Sequence, residues 1–271
     1  MSPAQIVLLG AIAGFTIYLG LPVGRLRAPM PRLKAMLSAT ATGILLFLLW
    51  DVLDHAWEPI DSALSHDEAG SALGNGAVLA ITFGAGLLGL VYFDRAAAGR
   101  EQRAAGPGAA SAGELARATV HGAAGRLALM IAIGIGLHNF AEGLAIGNSA
   151  ASGELSLAVL LVIGFGLHNA TEGFGIVAPL TGRRPSWGYL ALLGLIGGGP
   201  TFLGTLVGQR FVNDTMSVAF LGLAAGSILY VVIELLAVAR KADLKTITTW
   251  GTFLGLVLGF ATDAIVTAAG A

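Results

Sequence analysis

The strings GLHNFAEGLAI at residues 136–146 and GLHNATEGFGI at residues 166–176 share the pattern G-L-H-N-x-x-E-G, displaced by 30 residues from His138 to His168. Each string sits inside a long apolar run. Within each copy the His and the Glu are four residues apart, which places both on one face of a helix. Consecutive helices joined by a short loop pack as antiparallel neighbours. The two copies are therefore expected to meet near the middle of the layer that their helices cross.

That layer is a lipid bilayer. The chain of 271 residues is 55% hydrophobic and only 11% charged, less than half the charge of an ordinary soluble domain. Its 40 glycines suit helices whose backbones approach closely inside a membrane. A spanning helix needs roughly 20 mostly apolar residues, and charges and turn signals divide the chain into eight such runs: 4–24, 35–57, 73–94, 124–148, 155–180, 186–209, 216–239 and 247–269. The first run has no basic segment before it and no cleavage signal after it, and reads as a mature helix. The fold expected is all-α, a polytopic membrane protein with eight transmembrane helices.

The loops orient it. Arg25, Arg27, Arg32, Lys34, Arg95, Arg100, Arg103, Arg117, Arg126, Arg183, Arg184, Arg240, Lys241 and Lys245 are all the basic residues but Arg210, and all lie in alternate connections. Basic loops stay cytoplasmic, so eight spans place both termini outside, in the cell membrane. A single transport domain, 1–271, is expected, with a flexible cytoplasmic loop at about 95–123. That stretch is rich in Ala and Gly, carries Pro107, and offers His121 as its candidate ligand.

The chain has no cysteine and a net charge of −1. Disulfides and thiolate metal sites are excluded, and nothing in the charge balance points to nucleic acid. His138, Glu142, His168 and Glu172 combine imidazole nitrogen with carboxylate oxygen, a ligand set suited to Zn2+, Fe2+, Mn2+ or Cd2+. Two carboxylates offset the charge of a divalent ion where the dielectric is low. Asn139 and Asn169, one residue further round, offer amide oxygens that either bind metal or orient a carboxylate. Gly143 and Gly173 are expected to leave room beside the ligands. Duplicated ionisable groups inside a membrane are costly and mark function rather than interhelical glue.

A second polar stripe ends the second helix. Asp51, Asp54, His55 and Glu58 share one helical face at the outer end, an acidic entrance that raises the local cation concentration, and Asp263 on the last helix is a candidate for the same mouth. Glu234, just inside the cytoplasmic end of the seventh helix, is a candidate for the exit. The run Gly197, Gly198, Gly199, Pro200 predicts a bend beside a cavity or moving surface, and Gly251, Gly255 and Gly259 predict a close-packing stripe.

With these residues on the page, the chain resembles the ZIP (zinc- and iron-regulated-transporter-like) family, particularly its bacterial zinc-transporter and GufA-like branches. The two H-N-x-x-E-G motifs carry the resemblance, supported by eight spans and the long loop between the third and fourth. It implies that His138, Glu142, His168 and Glu172 form the transport site and that Asn139 and Asn169 help form a neighbouring second metal position. It further implies movement of metal toward the cytoplasm by an elevator-like motion of one helix bundle against another. Ala141 and Thr171 stand where many members carry Pro, Asn169 where some carry Asp, and Gly199 where some carry a carboxylate. A second metal position here would hold less negative charge.

The function expected is transport of a divalent metal, Zn2+ foremost, which is both substrate and bound ligand. The expected partners are the metal and the lipid bilayer, with no organic cofactor, and a homodimer is left open. The alternative from another class is a membrane-embedded metal-dependent hydrolase using the same His–Glu pairs, with a glutamate as base. It lacks an HExxH motif and any accompanying Ser or Asp constellation, and near-equivalent duplicated ligands fit a pathway better than an asymmetric catalytic centre.

Overall fold

A computed structural model of the chain describes residues 2–26, 31–104, 123–151, 155–180, 183–210 and 213–268. Eight α-helices lie among them: α1 Pro3–Phe15, α2 Pro31–Ser65, α3 Ala69–Ala104, α4 Ala123–Ala151, α5 Leu155–Val177, α6 Trp187–Gly208, α7 Asp214–Ala242 and α8 Lys245–Ala268. The protein is an all-α polytopic membrane protein. Among the described residues, six segments are long and apolar enough to cross a membrane: α1 with its extension to Arg25, α2, α3 from Ala69 to Ala96, α4, α6 and α7.

Three helices differ from their expected spans. The second, expected at 35–57, runs from Pro31 to Ser65, and its polar stripe lies inside the helix rather than at its end. The first does not run as one helix from 4 to 24. It is α-helical to Phe15 and continues as 3-10 turns, Thr16–Leu19 and Leu21–Arg25. The Thr16 hydroxyl donates to Ala13 O at 2.6 Å, competing for a carbonyl of the helix ladder, and Pro22 has no N–H to continue it. The third helix passes both Asn75 and Asp94 and runs on to Ala104, into the stretch expected to be a loop. Ala, Arg, Glu and Gln there are strong helix formers, and leaving the bilayer does not end a helix. Residues 105–122, with His121, lie outside the described residues.

The basic connections gather at one end. The Arg25 guanidinium donates to Pro185 O at 2.5 Å and lies 4.6 Å from the centre of the Trp187 ring, while Lys34 feels the charge of Arg183. At the opposite, acidic end, Thr215 donates to Asn75 Oδ1 at 2.9 Å. The alternation of charge along the sequence is thus a sidedness of the fold.

Close approach of backbones joins four helices into one group and the other four into two pairs, which pack together through α2 and α7 as a second group. A methyl group on Gly14 would sit 2.2 Å from Gly198 O, one on Gly143 2.1 Å from Thr201 O, and one on Gly173 2.3 Å from Ile17 O. These contacts join α1 and its extension, α4, α5 and α6. A methyl on Gly255 would sit 2.1 Å from Thr40 O, one on Gly226 2.0 Å from Phe83 O, and one on Gly86 2.2 Å from Leu223 O. These join α2 to α8 and α3 to α7, and the stripe Gly251, Gly255, Gly259 packs on α2 as expected. Between the groups the spacing is looser. A methyl on Gly134 would lie 3.4 Å from Val231 Cγ2 and one on Gly175 3.6 Å from Ala41 Cβ, ordinary van der Waals contacts. Apolar side chains fill this boundary, among them Leu48 and Val52 of α2, Ile131 and Ile135 of α4, and Ile228 and Val231 of α7.

Candidate metal centre

The paired motifs lie on α4 and α5, and both helices are continuous through them. His138, Asn139, Glu142, Asn169 and Glu172 are buried, the two asparagines completely. Helical spacing brings His138 Nε2 to 3.2 Å from Glu142 Oε1. The second motif meets the first through Asn139, whose Nδ2 donates to Glu172 Oε2 at 3.1 Å and to Gly197 O of α6 at 3.0 Å. Asn169 Nδ2 donates to Ala13 O at 3.1 Å, the carbonyl at the break in α1, and its side chain also acts on Glu142. Each motif's asparagine therefore faces the other motif's glutamate. His168 sits on α5 one turn before Glu172, and its side chain lies outside the described residues.

The polar accounting shows what this arrangement can hold. Both amides spend their N–H donors on fixed acceptors. Asn139 Oδ1, Asn169 Oδ1 and Glu142 Oε2 remain buried without a hydrogen-bond donor among the described residues. Buried acceptors are ordinarily satisfied. Three unsatisfied oxygens, one of them a carboxylate's, beside a His–Glu pair have the chemistry of a cation site. Among the described residues no three His, Asp or Glu side chains come together as a ready-made ligand cluster. The described part of the centre is the His138–Glu142 pair, with Glu172 attached through Asn139.

Gly143 and Gly173 do not leave open room beside the ligands. The space is taken by the backbones of Thr201 and Ile17, so these glycines set how closely α6 and the α1 extension pack on the motif helices. The run Gly197–Pro200 lies within a helix that is continuous from Trp187 to Gly208, and its use at the site is the Gly197 carbonyl that holds Asn139.

A cavity of about 380 Å³ leads to the site from the acidic end. Asp51, His55 and Glu58 line it from α2, and His138 and Glu142 form its inner wall. Asp51 feels the charges of His55, His138, Asp263 and Asp54, although Asp54 and Asp263 do not line the cavity. Sequence reasoning missed Asn148, Asn213, Asp214 and Ser217, which line the same cavity. Asp214, the first residue of α7, also borders a second space of about 650 Å³ toward the outer surface, with His66 and Glu68. A single polar residue at a helix end has no sequence signal that separates it from a cap.

Glu234 is elsewhere. It is half-buried on α7, and Tyr230, one turn earlier, feels the charges of Asp94, Glu234 and Arg126. Arg126 Nε lies 3.4 Å from Asp94 Oδ1. This group stands at the basic end, away from the cavity.

No curated protein matches the chain. A family model described as ZIP Zinc transporter matches residues 98–267, which is more than half of the chain and includes both motifs. Buried paired motifs, the cavity that reaches them from the acidic stripe of α2 and this match converge: the chain belongs to the ZIP zinc transporter family, whose work is the transport of metal cations across a membrane.

Proposed function

We propose that the protein carries divalent transition-metal cations, Zn2+ foremost, from outside the cell into the cytoplasm through a site between α4 and α5. His138, Glu142, His168 and Glu172 are the ligands. Asn139 and Asn169 hold the carboxylates in place and lend their free oxygens to the ion. Asp51, His55 and Glu58 concentrate cations at the entrance, with Asp54 and Asp263 adding charge, and Glu234 serves the exit side. The observation that carries this reading is the cavity, because it joins the acidic stripe of α2 to the buried His138–Glu142 pair in one continuous space.

All eight helices span the cell membrane in this reading, with both termini outside, and the basic end faces the cytoplasm. Movement is by the group α1, α4, α5 and α6 sliding as a body against α2, α3, α7 and α8. The support is the packing: backbone-to-backbone seams within each group and side-chain contacts between them. Apolar surfaces without interlocking hydrogen bonds slide at lower cost than surfaces that must break them.

The test is uptake of labelled zinc by proteoliposomes, with Fe2+, Mn2+ and Cd2+ as competitors. Saturable uptake, most strongly inhibited by the best substrate, is expected. Absence of metal flux from inserted, folded protein would sink the reading, and hydrolytic turnover without flux would replace it with the enzyme.

A further inference from the structure

The side-chain hydrogen bonds that join helices among the described residues stay within one group or the other. In the first group they run from Tyr18 to Ala191 O, Tyr189 to Gly125 O, Asn139 to Gly197 O and Asn169 to Ala13 O. In the second, Thr215 binds Asn75. The ion pair Arg126–Asp94 breaks this pattern. Arg126 is on α4, in the group that bears the metal motifs, and Asp94 is on α3 of the other group.

Its place along the helices is equally specific. Arg126 stands sixteen residues before Glu142 on α4, about 24 Å along the axis. Asp94 stands nineteen residues beyond Asn75 on α3, about 28 Å. The pair therefore lies at the basic end, while the cavity opens at the acidic end. Both side chains are partly exposed, at 24% and 38%, although the Arg126 Nε atom itself is buried. A pair of this kind is weak and reversible, unlike a fully buried one, whose separation strands a charge.

We propose that Arg126–Asp94 is a releasable tie between the two helix groups, made while the cavity is open to the outside and parted when the motif-bearing group moves. The proposal rests on the two-group movement described above. The tie favours the outward-open arrangement by holding the basic ends together. Tyr230 feels the charges of Asp94, Arg126 and Glu234, and Glu234, one turn further along α7, offers the guanidinium another carboxylate as α4 shifts. Asp94, Arg126 and Glu234 thereby acquire a common role in the cycle, distinct from binding the metal.

The chain's lack of cysteine makes the experiment direct. In the double variant Asp94→Cys/Arg126→Cys, zinc uptake by proteoliposomes is measured before and after a short bifunctional thiol reagent, and again after the linker is cleaved. Uptake is expected to fall to background on linking and to return on cleavage. A second linked pair, Trp50→Cys/Phe260→Cys, joins α2 to α8 inside one group, where the rings are 5.5 Å apart, and is expected to leave uptake unchanged. In parallel, Asp94→Asn and Arg126→Gln should each weaken apparent outside metal affinity by about two- to fivefold, the size of a surface ion pair. The swap Asp94→Arg/Arg126→Asp should restore it. Uptake that persists through the 94–126 link, or a swap no better than its single variants, overturns the tie. Failure of the unmodified protein to take up metal instead overturns the transport reading itself.

Discussion

The two helix groups are built from the same kinds of residue and put to different use. Among the described residues every buried His, Asn and Glu belongs to α4 and α5 of the first group, whereas the buried polar residues of the second are Thr42 and Ser227. The contrast is sharpest between α3 and α4. Of their apolar stretches, 11% of the first is buried and 67% of the second. The helix α3 lies at the periphery of the fold, and α4 lies mostly inside it. The comparison teaches that hydropathy alone does not distinguish the two groups, which the proposed movement makes frame and cargo carrier. Buried polarity does, because a membrane interior makes an unsatisfied polar group expensive and only a functional return maintains it.

The comparison breaks most completely if the buried carboxylates prove dispensable. Glu142→Ala and Glu172→Ala are each expected to lower metal uptake by about a hundredfold or more, the scale of removing one partner from a buried charged site. Initial rates in proteoliposomes, with insertion checked separately, decide it, and native rates in both variants would make the motifs structural glue. The frame should answer to packing instead. Gly255→Leu drives a side chain into Thr40 O and Gly43 and is expected to cost about 1–3 kcal/mol of stability, read as a lower melting temperature in detergent. An unchanged melting curve would mean that the seam is not as tight as the structure has it.

In the proposed mechanism acidity acts on the metal-bearing group and spares the other. If His138, His168, Glu142 and Glu172 are the ligands, the imidazoles must be neutral and the carboxylates ionised, so each bound proton opposes the metal. Affinity is therefore expected to fall as pH drops, by about tenfold per pH unit for each proton that the metal must displace. Metal titrations from pH 7.5 to about 5 test this, and constant affinity would remove histidine from the ligand set. At the entrance, Asp51→Ala should raise half-saturating metal only about two- to fivefold and lose its effect in high salt, because that carboxylate concentrates ions rather than holding them. The smallest effect on stability is expected at the boundary. Gly134→Ala adds a methyl at ordinary contact distance, so melting should stay within about 1 kcal/mol of native, and a change in uptake without a change in melting would mark a sliding surface.

Much of this was legible in the residues. The motif repeat at His138 and His168, the apolar runs and the basic loops require nothing beyond local chemistry. A bilayer forces long apolar helices, charge bias orients them, and a four-residue spacing puts His and Glu on one face. The glycine stripe of α8 was equally readable, because small residues at that spacing have few other uses in a membrane. The end of α1 was not. Whether Thr16, Gly20 and Pro22 merely decorate a helix or stop it depends on Gly173 and Asn169, which lie far along the chain and supply the backbone contact and the hydrogen bond at the break.

What the sequence by itself determined was the set of groups: two imidazoles, two carboxylates and two amides inside a membrane, with an acidic stripe on α2. What the tertiary structure decided was their partners. Asn139 reaches Glu172 rather than its own Glu142, the motif glycines are filled by neighbouring backbones, Asp214 joins the cavity wall, and Arg126 finds Asp94 across the boundary. The physical reason is the range of the interactions. Helix formation, burial in lipid and same-face spacing depend on a few adjacent residues, whereas hydrogen bonds and close packing depend on ångström-scale approach between segments that only the folded chain brings together.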